Sequence, residues 1–409
     1  TVTLNYQLPF VDGLGLKASI NQYKRDIYNK QFNLPYEMTL FNTLGEHNHI
    51  VGDQAVGIRP READEFLLSR YDKIERYQFN AQINYRKNFG DHSLDALLVY
   101  EQAEGDDLWF NGRRDEFISS DIDQIIGGSP DPGNSTVDGN QNQTARISYI
   151  GLVSYNYGQK YLLEASFRYD GSIIFAPDNR WGFFPSASAG WRISNEPFFN
   201  SGFIDDLMIR ASVGLLGNDA VGDFQWLQSY DIVDGAIFDG PTFGLQPGVI
   251  ANRAITWEKS LSYNAGVNAT LWEGKMNLRL DLFRRDTYDI LGSRQLSIPS
   301  TFGALLPDEN YQKIDSKGFE IELGYNGQAG SSGDAVNYYV RGNFGYAVNE
   351  VIQLDEAENI RPYQSEIGRP TGGIFGYVAT GILRTQADLD ALPEGYTIEG
   401  NEPRLGMLN

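Results

Sequence analysis

The residues best equipped for chemistry crowd into one stretch, RYDGSIIFAPDNRWGFFPSASAGWRISNEPFF, residues 168–199. Asp170 and Gly171 form one turn signal, Asp178 and Asn179 another, and Arg180 and Trp181 stand beside them. Carboxylate, amide and guanidinium groups so placed suit a nucleotide loop or a metal site. The same residues are also the ordinary formers of tight turns.

Elsewhere the inventory is thin. The chain has 409 residues and no Cys, so it holds neither a disulfide framework nor a thiolate metal site. Its three His are His47, His49 and His92. His47 and His49, in GEHNHI, lack a carboxylate at a ligand spacing and read as part of a solvated loop. His92 falls in the turn FGDHS. Glu320 and Glu322 point the same way on one strand, whereas the acids of a glycosidase must flank a substrate. GLLGND follows a strand, but no helical pattern follows it, so it is no phosphate loop. Residues 131–143, DPGNSTVDGNQNQ, offer Asp131, Asn134, Asp138 and Asn140 as hard oxygen ligands for calcium, without EF-hand spacing. Nothing in the set supports an enzyme. The net charge of −21 argues against a nucleic-acid partner, because phosphate recruits Lys and Arg.

The elements that must position these groups are strands. Tyr (24), Phe (23) and Gly (44) are abundant and Met (4) is scarce, a composition of strands and turns. Period-2 alternation recurs along the chain. In MNLRLDLFRR, Met276, Leu278, Leu280 and Leu282 face one way, and Asn277, Arg279 and Asp281 the other. YQFNAQINYR and YLLEASFRYD behave alike, and so do FFPSASAGWRIS and KGFEIELGYN. With further candidates near 2–8, 15–24, 93–103, 144–156, 207–216, 262–271 and 336–347, about a dozen strands are expected.

Connections alternate in length. PFVDGLG, NFGDHS, NYGQK, LWEGK and NGQAGSSGDA are short turns, separated by polar stretches at 27–73, 106–143, 217–256 and 291–314. Short turns at one end and long loops at the other are the layout of an outer-membrane β-barrel. One strand face carries Arg, Glu, Asp, Gln and Asn, the other is nearly free of charge, and aromatic residues gather at strand ends. The fold expected is all-β: a transmembrane antiparallel β-barrel, with a large soluble lectin-like β-sandwich as the alternative. Two long stretches hold aromatic groups suited to stacking on sugar or gripping a protein partner. They are Trp109 and Phe110 beside Arg113 and Arg114, and Phe224, Trp226 and Tyr230. The bland alternative folds these side chains back onto their own loop or the rim.

The long motif resembles the signature of the SusC/RagA family of TonB-linked outer-membrane transporters of Bacteroidetes. That pattern runs Lys-Tyr-Leu-Leu, Arg-x-Asp-Gly-Ser, Phe-Pro-Ser, Gly-Trp-Arg and Glu-x-Phe. The chain keeps it at residues 160–163, at Arg168, at residues 170–172, 184–186 and 190–192, and at Glu196 and Phe198. YRKNFGDHSLDALLVYEQ, LMIRASVGLLGND, ITWEKSLSYNAGVNATLWEGKMNLRLDLFRRDTYDIL and IDSKGFEIEL resemble further family blocks in the same order. The resemblance implies a plugged barrel of about 22 strands. It further implies a SusD-like surface lipoprotein as lid, and TonB acting through the plug to drive import of an oligosaccharide or a peptide. Residues 1–409 carry neither a plug, a TonB box nor a signal peptide, and stop short of the family's last strands. They are therefore expected to be part of such a barrel. A non-transporting surface receptor or adhesin on a similar barrel is the competing function.

Overall fold

The structure, a computed structural model, describes residues 1–409 apart from 62–64, 236–241, 295, 297, 331–334, 375, 377 and 409. The expected strands form, in chain order, β1 (Val2–Gln7), β2 (Leu14–Asn33), β3 (Tyr36–Leu44), β4 (His49–Arg61), β5 (Phe66–Phe89), β6 (His92–Asp115), β7 (Ser135–Tyr157) and β8 (Tyr161–Ser172). They continue with β9 (Trp181–Arg192), β10 (Ile204–Asn218), β11 (Tyr230–Asp234), β12 (Phe243–Pro247), β13 (Glu258–Leu271), β14 (Met276–Ser293), β15 (Asp308–Ala329) and β16 (Val336–Gln353). Twelve of these make one antiparallel sheet in the order β1-β2-β5-β6-β7-β8-β9-β10-β13-β14-β15-β16. The sheet is open, with β1 and β16 at its edges. Two small hairpins, β3–β4 and β11–β12, stand apart from it. Among the described residues no helix is long and apolar enough to cross a membrane.

Register follows the alternation. One row across the outward face reads Ala265, Leu282, Phe319, Tyr346. Another reads Leu4, Ala18, Ala81, Tyr100, Tyr149, Tyr169. At three glycines of this face a neighbouring aromatic covers the gap. Gly151 pairs with Phe167, Gly171 with Trp181 and Gly327 with Tyr338, and a Cβ on any of the three would collide with the partner's ring.

The outward apolar band ends in aromatic belts. Below, Phe89 stacks on His92 with ring centroids 5.0 Å apart, His92 lies 4.8 Å from Tyr157, and Tyr157 stacks on Tyr161 at 6.4 Å. Above, Tyr100 meets Tyr149 at 5.5 Å, and Trp181 stacks on both Tyr149 and Tyr169. Tyr161 and Tyr169 bracket the band on β8. At about 3.3 Å per residue and a tilt of about 40°, the belts are separated by roughly 20 Å of height, close to the apolar band of an outer-membrane barrel.

The strands run further than the alternation predicts. The expected loop at 27–73 is mostly strand, in the ends of β2 and β5 and in the β3–β4 hairpin, and that at 106–143 is half strand, in the ends of β6 and β7. Above the upper belt the outward face turns polar. Lys24 pairs with Glu75 at 3.6 Å and Lys73 with Glu75 at 3.0 Å. Backbone pairing continues there without a register shift, but both faces meet water, so the apolar signal stops before the ladder does. The short turns join strands at one end and the long connections at the other, as expected. The tip of the 326–335 turn lies outside the described residues.

Candidate functional site: the inner wall and its two buttresses

The inward face is polar and carries ion pairs both within and across strands. Arg210 on β10 reaches Asp281 on β14, which also accepts from Arg279 at 2.9 Å. Asn264 on β13 accepts from Arg210 at 3.1 Å. Asp281 is only 5% exposed, so its charge needs a guanidinium partner. A second group joins Arg168 to Asp170 at 3.1 Å and to Ser148 at 3.3 Å, with Glu101 at 4.0 Å. Arg341 pairs with Glu322 further along the wall. Such a face suits a wet interior, just as the outward face suits lipid.

The motif that opened the sequence reading builds the wall's outer end. The turn between β8 and β9 carries Phe175, which packs with Phe184, Ile255 and Trp257 in a buried cluster. Trp257 donates its indole N–H to the carbonyl oxygen of Arg180 at 2.9 Å. The Thr256 hydroxyl donates to the Asn179 carbonyl at 3.0 Å, and the Asn179 amide donates to the Arg253 carbonyl at 2.7 Å. Asp219 accepts from Arg146 on β7, and Asn218 donates to Glu258 at 2.8 Å. Four sequence blocks, RYDGS, DNRWG, GND and TWEK, thus meet in one extracellular buttress. Asp170, Asp178 and Asn179 serve pairing and turns, and the stretch is scaffold.

The motif's other end makes a periplasmic buttress. Glu196, in the short turn after β9, accepts from the Trp191 indole at 3.0 Å and from Lys160 at 3.3 Å. The Tyr161 hydroxyl adds a further hydrogen bond. These bonds, first that of Tyr161 and then that of Trp191, hold the carboxyl below the ordinary glutamate range against the cost of burial. Phe198 packs edge-on to Trp191 at 6.5 Å. Residues of the Lys-Tyr, Gly-Trp-Arg and Glu-x-Phe motifs therefore converge on one carboxylate.

The model of the TonB-dependent receptor-like β-barrel matches residues 1–391. The chain belongs to that family. Among curated relatives, TonB-dependent receptor P39 of Formosa agariphila is 27% identical over 343 residues, covering 81% of this chain and 32% of the relative. TonB-dependent receptor SusC of Bacteroides thetaiotaomicron is 30% identical over 261 residues, covering 54% and 26%. The solved structure of the RagAB peptide transporter superposes with a TM-score of 0.72 at 21% identity, over 90% of this chain and 39% of that one. The chain is thus a barrel wall of SusC/RagA type, an outer-membrane protein. It spans 32% and 40% of the length of the first two relatives it matches.

Within this TonB-dependent barrel wall, the expected loop aromatics divide. Trp109, Phe110, Arg113 and Arg114 lie on β6 rather than in a loop, because the ladder outlasts the apolar signal. Trp109 and Arg113 share the inward face. Arg70 stacks over the Trp109 ring at 4.2 Å and Arg113 over Phe66 at 4.0 Å. Phe110 points outward against Tyr71, and Arg114 reaches the Ile125 carbonyl. Phe224 and Trp226 lie in the connection after β10, with Arg253 at 6.0 Å from the Trp226 ring, and Tyr230 starts β11, 60% exposed. The structure does not gather the two groups into one cluster.

The four oxygen-bearing residues of the 131–143 stretch are likewise dispersed. Asp131 caps a short 3-10 turn by accepting from Gly133, Asn134 donates to Glu116, and Asp138 and Asn140 lie on β7. Among the described residues no group of three or more His, Cys, Asp or Glu is placed to hold a metal ion. His47 and His49 lie in and beside the β3–β4 turn, while His92 joins the lower aromatic belt and meets the Tyr155 hydroxyl at 2.6 Å. The two buttresses escaped sequence reasoning: Glu196 and Lys160 stand 36 positions apart, and Trp257 and Arg180 stand 77 apart.

Proposed function

We propose that the full-length protein imports a nutrient oligosaccharide across the outer membrane, driven through TonB. A SusD-like surface lipoprotein would close its mouth. The observation that carries this reading is the division of one sheet into two environments. The outward face is an apolar band between aromatic belts. The inward face holds ion-paired Arg210, Asp281 and Arg168 around an interior that polar cargo can cross. The family match and the likeness to SusC support the TonB drive and the lid. The likeness to the RagAB peptide transporter favours a second reading, in which the cargo is a peptide.

Deleting the gene in its host tests both. Growth is compared on defined oligosaccharides and on peptides, with and without TonB. Loss of oligosaccharide uptake on deletion and on TonB depletion is the expected result, and loss of peptide uptake alone selects the second reading. Unchanged uptake of both, with altered surface attachment, would instead mark a receptor or adhesin.

A further inference from the structure

Resting on the import reading, the geometry points to a capture subsite for a neutral pyranose on the inward face of β5–β6–β7, above the membrane. We propose that Trp109 forms its stacking floor, with Arg70, Asp72, Asn111, Asp138 and Asn140 as its polar rim. Two adjacent cross-strand rows bring these six together. Asp72, Trp109 and Asn140 are Cα partners in one row, and Arg70, Asn111 and Asp138 in the next. Neither pairing shifts register anywhere along these strands, so Trp109 shares the face of Glu101, lower on β6, which stands 4.0 Å from Arg168. Trp109 lies nine residues past Tyr100 of the upper belt. At about 3.3 Å per residue and a tilt of about 40°, that is some 23 Å above the belt. Cargo arriving from outside therefore passes this strip before the membrane, and the same face leads down to the polar wall.

The chemistry is that of sugar recognition. A pyranose ring offers an apolar face of C–H bonds and an edge of vicinal hydroxyls. A flat aromatic ring accepts the face, and planar amide, carboxylate and guanidinium groups bridge neighbouring hydroxyls. The rim is already oriented. Arg70 donates to both oxygens of Asp72, at 2.8–3.0 Å, and its guanidinium covers one face of the indole at 4.2 Å, so the sugar would stack on the opposite face. Among the described residues, neither the Trp109 indole N–H nor the Asn111 amide bonds another protein group, so both remain available to hydroxyls.

Charge decides between sugar classes. Asp72 neutralises Arg70, and Asp138 stands close enough for its charge to act on the same guanidinium. The rim thus carries one cation and two carboxylates. The next row toward the membrane holds Asp107, itself paired with Arg76. Uronic or sulfated sugars would meet net repulsion here, while neutral ones would not.

The test measures uptake by the full-length protein in its host, using maltohexaose, cellohexaose, xylohexaose and mannohexaose, with hexagalacturonic acid and a peptide digest as competitors. Wild type should take up at least one neutral hexasaccharide. W109A should raise its half-saturating concentration tenfold or more, at unchanged maximal rate and outer-membrane level. W109F should raise it less than threefold. If W109A does not reach the membrane, the double change N111A/N140A should give a shift of at least threefold. An unchanged half-saturation in the variants, or stronger competition by hexagalacturonic acid than by the neutral sugars, overturns the subsite. So does TonB-dependent uptake of the peptides alone, which leaves import standing. Absence of any TonB-dependent uptake removes the import reading itself.

Discussion

The indole N–H of Trp257 donates to the carbonyl oxygen of Arg180 at 2.9 Å, joining two segments 77 positions apart. Trp257 is 2% exposed and its ring packs on Phe175 and Phe184. It is the keystone of the extracellular buttress. W257A should destabilise the full-length protein by about 3–5 kcal/mol through lost packing. W257F keeps most of the ring, loses the hydrogen bond, and should cost about 1–3 kcal/mol. Thermal unfolding in detergent gives both values. Equal melting of W257A and wild type would remove the buttress from the account.

Leu280 and Arg279 are chain neighbours facing opposite media. Leu280 lies between Val267 and Ile321 on the outward face, and Arg279 bonds Asp281 on the inward one. L280R should cost roughly 2–4 kcal/mol and lower the folded fraction in the outer membrane. R279L should do less harm, because Arg210 still neutralises Asp281. Heat-modified gel mobility reads the folded fraction. Equal loss in both variants would contradict the register.

The depressed Glu196 carboxyl makes a pH prediction. Its folded value lies below the unfolded one of about 4.3, so the stabilisation is full above that pH. It is lost as pH falls through the lower, folded value. E196Q should therefore melt below wild type at neutral pH, and the gap should close in strong acid. A gap that stays constant down to strong acid would show that the carboxylate's charge contributes nothing.

Gly151 sits beneath the Phe167 ring. G151V forces the ring away and should cost about 1–3 kcal/mol as overpacking. Adding F167A should recover part of that loss, a non-additive pair in a double-mutant cycle. Simple additivity would mean that the ring does not rest on the glycine.

The barrel wall was largely legible from alternation alone, because one face must suit lipid and the other water. Leu278, Leu280 and Leu282 against Asn277, Arg279 and Asp281 announced both strand and register. Strand ends were not legible. Beyond Ile20 the outward residues become Gln22, Lys24 and Asp26, so β2 continues to Asn33 without an apolar signature. For the same reason Trp109 read as loop. The Glu196 and Trp257 contacts were hidden for another reason: only the meander of antiparallel strands brings such distant positions together.

The central claim is a wall with lipid on one side and water on the other. This chain has no Cys, so single cysteines introduced at positions 277–282 of the full-length protein, with any cysteine outside this chain replaced by Ala, can carry nitroxide labels. Oxygen and a water-soluble nickel chelate then report lipid and water contact in bilayers. The account predicts a two-residue period, with oxygen contact highest at 278, 280 and 282 and chelate contact highest at 277, 279 and 281. A reversed phase, or no two-residue period, would contradict it.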